Sequence, residues 1–299
     1  STAAELDTFM LQNLAFVKTE ALLPDFIAFL SLPVSERADS ADEVTAILSV
    51  LAQQDPEHID SIAILDLQGN TLVDTFTADI GVNKADRPWF QKTVETGKPY
   101  ASDVEFSQTT DAASIYFSDL VRDASGKNIG VFRVRFLASH LQEIISANND
   151  LLGIGSFAVL LDAQSHVRLA HGTTPSIIFK SVIPLDAATV SDLQARRLLP
   201  PGTPEELSTN LPDFEAALEN YQTQPYFLAE LKIGDATLEQ GAIVTMTTQA
   251  WHVIYAQSED TFLAPINTQT TTNIILSAVI ALVVAGFAVF ISATLAGPL

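Results

Sequence analysis

Twenty consecutive residues, Ile274 to Ala293, contain no charged side chain and only two polar ones, Ser277 and Ser292. At about 1.5 Å per residue they cover roughly 30 Å, the thickness of a bilayer's hydrocarbon core. A buried core helix of a soluble domain is usually shorter and keeps a polar stripe. The run therefore reads as a transmembrane helix, placed at 272–293. Asp, Glu, Lys, Arg and His are all absent from Thr261 to Leu299, so no flanking cation reports the orientation of the span. Ser277, Ala281 and Ala285 form a row of small residues at four-residue spacing, which without GxxxG is a weak packing signal.

All charge lies before the span, where 15 Lys and Arg face 36 Asp and Glu for a net charge of −21. Such a surface repels phosphate and has no basic stripe, which argues against a nucleic-acid partner. The absence of Cys excludes a disulfide framework, thiol catalysis and cysteine-ligated metal sites. The sequence opens at Ser1 with no basic n-region. It is expected to be a processed piece, with a second span before residue 1.

The soluble part begins with helical periodicity. Leu6, Phe9, Met10, Leu14 and Val17 recur at three or four residues, and Phe26, Ile27 and Leu30 extend the apolar face beyond a break at Pro24. Asp39 is a candidate cap for a second helix through Val44, Ile47, Leu48 and Leu51. Strand signals follow. Residues 61–66 and 71–75 flank a Gln68-Gly-Asn70 turn and predict a hairpin; Pro88 opens a helix that stops at Gly97; segments 100–106, 113–121 and 130–136 read as strands; a short helix through Leu141 and Ile145 closes the unit.

An internal repeat organises the rest. Ser61-Ile-Ala-Ile-Leu-Asp-Leu-Gln68 is echoed by Ser156-Phe-Ala-Val-Leu-Leu-Asp-Ala-Gln164, again with a return strand, at 166–170. The closing strand and helix at 130–145 have a counterpart at 250–256 and 261–263. Two tandem α+β modules are the simplest explanation. Residues 186–224, rich in Pro, Thr and Glu, read as an excursion of the second module, with no role assigned.

These elements resemble the double Cache (dCache) sensor region of bacterial transmembrane receptors of the chemoreceptor, kinase or cyclase type. The resemblance rests on Asp79-Ile-Gly81, Arg87-Pro-Trp-Phe90, Gly97-Lys-Pro-Tyr-Ala-Ser102, Ile115-Tyr-Phe-Ser118 and Asp123-Ala-Ser-Gly-Lys-Asn-Ile-Gly-Val131. It implies an α+β fold: a long N-terminal helix and second helix (1–58), a membrane-distal Cache (PAS-like) antiparallel-sheet module (59–148), a membrane-proximal one (149–262), one C-terminal transmembrane helix and the start of a HAMP linker (294–299). It also implies an extracytoplasmic, periplasmic location for residues 1 to about 270, a homodimer in the inner membrane, and a small-molecule ligand in the distal module.

In that family Arg-x-Trp-aromatic supplies an arginine for a carboxylate and aromatic walls, here Arg87, Trp89 and Phe90. A guanidinium at a helix start suits an anion; equally, Trp89 and Phe90 could anchor the helix in the core and Arg87 make a structural salt bridge. The amino-acid-binding branch has a tyrosine and an acidic residue where this chain has Phe106 and Arg135. Arg133 and Arg135 alternate with Phe132, Val134 and Phe136, so both leave one sheet face. A face that lines the pocket would favour a carboxylate or other anion over an α-amino acid; a solvated face paired with local acids is the alternative. Ser102, Asp103, Tyr116 and Ser118 complete the candidate wall.

No HExxH, GxSxG, Walker loop or zinc cysteine pair is present. His166 and His171, five apart, lack metal-pair spacing. The chain is read as a sensor, not an enzyme, with no cofactor and no metal. A ligand-blind module docking a periplasmic binding protein and a membrane-anchored hydrolase are the alternatives.

Overall fold

Helix α1 (Thr2–Glu20) presents Leu6, Phe9, Met10 and Val17 to the core at helical spacing. Pro24 cannot continue it and instead occupies the first turn of α2 (Pro24–Ser31), which ends where Pro33 forces Leu32 to be extended. α3 (Arg37–Ala52) buries Val44, Leu48 and Leu51. The expected long helix is thus two shorter ones, α1 and α2; α3 is the expected second helix, with Asp39 in its first turn rather than at its cap. In this computed structural model residues 1–232, 234 and 237–295 are described.

The distal sheet contains β1 (Ile59–Leu65), β2 (Thr71–Asp74), β3 (Tyr100–Ala101), β4 (Glu105–Phe106), β5 (Ala113–Arg122) and β6 (Asn128–Leu137), in the antiparallel order β2-β1-β6-β5-β3 with β4 also on β5. The strand expected at 100–106 is broken into two short pieces. α4 (Pro88–Thr96) lies across one face and stops at Gly97, whose φ of 65° suits glycine. The other face packs on α1 to α3. Phe9 meets Phe117 and Phe136 edge-on at 5.8 and 5.5 Å, and Phe26 stacks on Phe132 at 5.5 Å.

Leu30 of α2 packs directly over Gly130 on β6. A Cβ there would lie 2.6 Å from Leu30 Cδ1 and 2.7 Å from the Leu65 carbonyl oxygen. The leucine could turn away but the backbone oxygen could not, so Gly130→Ala should destabilise by about 1–3 kcal/mol through overpacking. Urea denaturation checks this, and a variant as stable as wild type would contradict it.

α5 (Ser139–Ala147) leads into the proximal sheet of β7 (Phe157–Asp162), β8 (Arg168–His171), β9 (Tyr226–Ala229), β10 (Glu239–Thr245) and β11 (Trp251–Ser258). Its order, β8-β7-β11-β10-β9, repeats the distal pattern strand for strand. Residues 186–224 hold α6 (Ala187–Ala195) and α7 (Pro212–Asn220); Asp186 caps α6 by accepting from the Ala188 and Thr189 amides, and α7 lays Phe214 and Leu218 on the sheet. Through α1 and α5 one hydrophobic core runs from the distal sheet to Leu160, Trp251 and Val253 of the proximal one.

α1 also reaches the last strands directly. Asp7 accepts from the Thr247 and Thr248 amides at 3.0 and 2.9 Å, and the Thr2 amide donates to Tyr255 Oη at 2.6 Å. The first turn of α1 therefore sits beside β11, which continues into α8 (Glu259–Leu295). Among the described residues α8 is the one helix long and apolar enough to cross a membrane; an 18-residue stretch within Glu259–Ser292 reaches a mean hydropathy of 3.0, and none of that stretch is buried. The expected linker start at 294–299 lies, from residue 296 onward, outside the described residues.

Candidate functional site

The sheet face opposite α1 carries the arginines. Alternation along β6 sends Phe132, Val134 and Phe136 into the main core and Arg133 and Arg135 under α4, where each is 1% exposed. Burial at this level needs paired charge. Arg133 Nη2 lies 2.5 Å from Asp74 Oδ2, and its Nη1 donates to Ser61 Oγ at 2.5 Å. Arg135 Nη1 donates to Asp79 Oδ2 at 2.8 Å, while its Nε lies 2.5 Å from Asp60 Oδ2 without hydrogen-bond alignment. Lys84 Nζ donates to the other Asp79 oxygen at 2.7 Å. Arg87, the residue before α4, is paired to Glu105. The solvated half of that alternative is overturned, since the arginines and nearly all of their carboxylate partners are interior, while its pairing with acids is what the structure holds.

Lys84, Arg87, Arg133 and Arg135 line one space with Asp79, Trp89, Gln108 and Tyr116. Trp89 and Tyr116 stack, 5.4 Å apart and 11° from parallel. About 10 Å³ of this space is open to a water's centre, room for a single water. Arg133 Nε and Arg135 Nη2, on two of the lining residues, are buried with no hydrogen-bond partner among the described residues. Unpaired cationic donors in an interior are costly to leave so.

The acids respond to this field unequally. Burial pushes the Glu105 carboxyl up to about 7 against the pull of Arg87. Burial also raises Asp74 above the usual carboxylate range, with Arg133 opposing. For Asp79 burial is outweighed by Lys84, Arg133 and Thr109, which hold it below that range. Lys84 is lowered, chiefly by burial. Glu105 is thus the carboxylate most easily neutralised in the cluster.

Of the ten residues singled out from the sequence, Arg87, Trp89, Tyr116, Arg133 and Arg135 meet at this space, and the other five do not. Phe90 packs in the small core under α4 with Leu65 and Leu120, and Ser118 Oγ pairs with Thr93 Oγ1 at 2.6 Å beneath the same helix. Ser102 fixes the β3–β4 turn, its Oγ accepting from the Tyr116 amide at 3.0 Å. Phe106 looks outward to the second module, edge-on to Phe179 at 4.9 Å. Asp103 lines a separate cavity of about 360 Å³ between the modules, with Asp162, Asp192, Arg196 and Trp251. Asp74, Asp79, Lys84, Glu105 and Gln108 are members that sequence reasoning passed over; Asp79 had been noticed only as part of a motif. His166 and His171 share no site: the first is 2.7 Å from Glu215 and the second is buried on Phe157.

The excursion 186–224 touches this region. The Arg197 carbonyl accepts from the Phe106 amide at 2.7 Å, and Arg197 Nη1 donates to the Ser107 carbonyl and to Asp111, each at 3.1 Å. The segment carrying Glu105 is therefore bolted to the proximal module.

No protein-family model matches the sequence, and no curated protein matches it. Solved structures do match the fold. The sensor domain of the V. cholerae histidine kinase DctB superimposes with a TM-score of 0.68 at 16% identity, over 86% of this chain and 93% of that one. The ligand-binding domain of the Pseudomonas fluorescens chemoreceptor CtaA, in complex with L-serine, gives 0.56 at 12% identity over 87% and 93%. That of the Campylobacter jejuni chemoreceptor Tlp3, in complex with 4-methylisoleucine, gives 0.55 at 16% identity over 87% of each. The fold is that of double Cache sensor domains.

Proposed function

We propose that this chain is the extracytoplasmic ligand-sensing region of a transmembrane signalling receptor, and that its distal module binds a small carboxylate or other anion among Arg87, Trp89, Tyr116, Arg133 and Arg135. The unpaired Arg133 Nε and Arg135 Nη2 donors carry this reading, because an anion satisfies both while the nearby carboxylates leave them unmet. The space holds one water, so entry requires Gln108 to give way and the Arg87–Glu105 pair to loosen. Movement of Glu105 would pull the Phe106–Arg197 link, and a shift of the proximal module would reach α8 through β11. The signal is then a population shift between two arrangements, biased by differential affinity. The chain acts as a homodimer in the membrane on this reading and catalyses nothing.

The test is a thermal-shift screen of the full chain in detergent against carboxylates, inorganic anions, amino acids and amines. A carboxylate at ~100 times its Kd should add about 2.7 kcal/mol of stability. The double variant Arg87→Ala/Glu105→Gln, which leaves no unpaired charge, should lose that response. A response confined to amino acids, or one kept in the double variant, contradicts the site.

A second reading rests on the 360 Å³ cavity, where Asp103, Asp162 and Asp192 face Trp251. Burial, reinforced by Asp162, raises the Asp103 carboxyl. An organic ammonium would relieve that repulsion and stack on the indole. Stabilisation by amines alone, lost in Asp103→Asn and kept in the Arg87 double variant, would select it.

A further inference from the structure

Where α3 turns into β1, His58 faces α5. Its Nδ1 lies 2.8 Å from Asp55 Oδ1 and its Nε2 lies 2.7 Å from Glu143 Oε2. His140, three residues before Glu143 on α5, brings Nδ1 to 3.6 Å from that same oxygen. The two imidazole rings are 4.0 Å apart. His140 Nδ1 is buried and has no hydrogen-bond partner among the described residues. One ligand atom from each of His58, His140 and Glu143 lies within 4.8 Å of the others.

We propose that His58, His140 and Glu143 form a binding site for a divalent transition-metal ion of the zinc type, with Asp55 orienting His58 from behind. Bond lengths of about 2.0–2.2 Å around a tetrahedral ion set its ligand atoms roughly 3.3 Å apart. The two contacts to Glu143 Oε2 bracket that spacing, so small side-chain rotations close the site around an ion. Asp55 on the far nitrogen of His58 completes a carboxylate–histidine–metal arrangement, which fixes the tautomer and the ring plane. Two imidazoles select borderline ions such as Zn2+ or Co2+ over Mg2+ and Ca2+, which take oxygen ligands. Three protein ligands leave a fourth position to water.

The location gives the ion a task. α5 is tied to the proximal sheet by Gln142, which exchanges hydrogen bonds with the His171 backbone at 2.9 Å, and His140 packs on Phe9 of α1 at 4.9 Å. An ion here fastens the α3–β1 turn of the distal module to the helix that joins the two sheets. Metal loading then stiffens a second link between the two sheets, beside the Phe106–Arg197 contact along which the proposed signal passes.

The experiment titrates the full chain in detergent with Co2+, reading the ligand-field absorption of a four-coordinate ion, and then displaces it with Zn2+. One Co2+ per chain is expected, bleached by an equivalent of Zn2+ and untouched by Mg2+ in large excess. His58→Ala and His140→Phe should each remove the band, and Asp55→Asn should weaken binding about 10- to 100-fold. His140→Phe keeps a ring against Phe9, so a folded but metal-blind variant separates loss of a ligand from loss of the fold. Absence of the band in the wild type, or its persistence in either histidine variant, overturns the site. Displacement by Mg2+ does the same, by assigning the ion to the acidic surface.

Discussion

Arg133→Met should lower the stability of the chain by about 3–5 kcal/mol in urea denaturation, because Asp74 is left behind as an uncompensated charge in the interior. Asp74 is 0% exposed, and Arg133 is its cationic partner at 2.5 Å. Methionine keeps most of the apolar stem of the arginine but not the volume of its guanidinium, so the double variant below is what separates charge from cavity. Removing the second charge in Arg133→Met/Asp74→Leu should recover much of it. Recovery should stop short of wild type, since the Phe76 amide donates to Asp74 at 2.8 Å and an abandoned donor costs about 1–3 kcal/mol. Lys92→Ala, which breaks an exposed pair with Glu95, should change nothing measurable. An Arg133→Met chain within 1 kcal/mol of wild type would show that the pair is not interior.

That pair also marks the boundary of what the sequence reveals. The strict alternation of Arg133 and Arg135 with Phe132, Val134 and Phe136 announces that both arginines share a face, and period two is local information. Their partners are not local: Asp74 comes from β2, Asp79 from the turn after it and Asp60 from β1, all placed by cross-strand register. Glu105 was hidden for a related reason. Its segment reads as one strand, and only the break between β3 and β4 leaves Glu105 facing Arg87.

The duplicated fold was more legible. Two hairpins with matching residues predicted two modules, and the sheets share a strand order. The repeat was silent about β9 and β10, whose exposed positions dilute the apolar pattern. Residues 186–224 gave no role, because what they do is a contact. Arg197 holds Phe106 and Ser107 some ninety residues earlier in the chain, and no periodicity records such a contact. The long apolar helix α8 needed only composition and length.

The acid limb of stability should be governed by His171. It is 0% exposed, its Nδ1 accepts from the Thr173 and Thr174 amides, and its Nε2 has no partner among the described residues. Burial, with help from Arg168 and Lys232, pushes its pKa down to about 3 from 6.5. A base lowered on folding binds fewer protons in the native state across that window. Stability from this group is therefore complete above about pH 6.5 and lost as pH falls towards 3, by about 1 kcal/mol per pH unit. Glu105 works the other way: an acid raised to about 7 from 4.5 makes the native chain bind the extra proton, so its contribution grows as pH falls through that range. The two offset each other between about pH 4.5 and 6.5, and below 4.5 His171 acts alone. Urea midpoints should change little from pH 6.5 to 4.5 on account of these two groups and then fall more steeply. His171→Gln keeps an acceptor for the two amides and does not titrate. Its midpoint should be lower at pH 7, where the stacking on Phe157 is lost, yet its fall below pH 4.5 should be shallower by the share His171 contributes, while carboxylates held low, such as Asp79, still titrate there. The remaining carboxylates are common to both chains, so the difference between the two curves isolates His171. An acid limb of unchanged slope in the variant would show that some other group controls it.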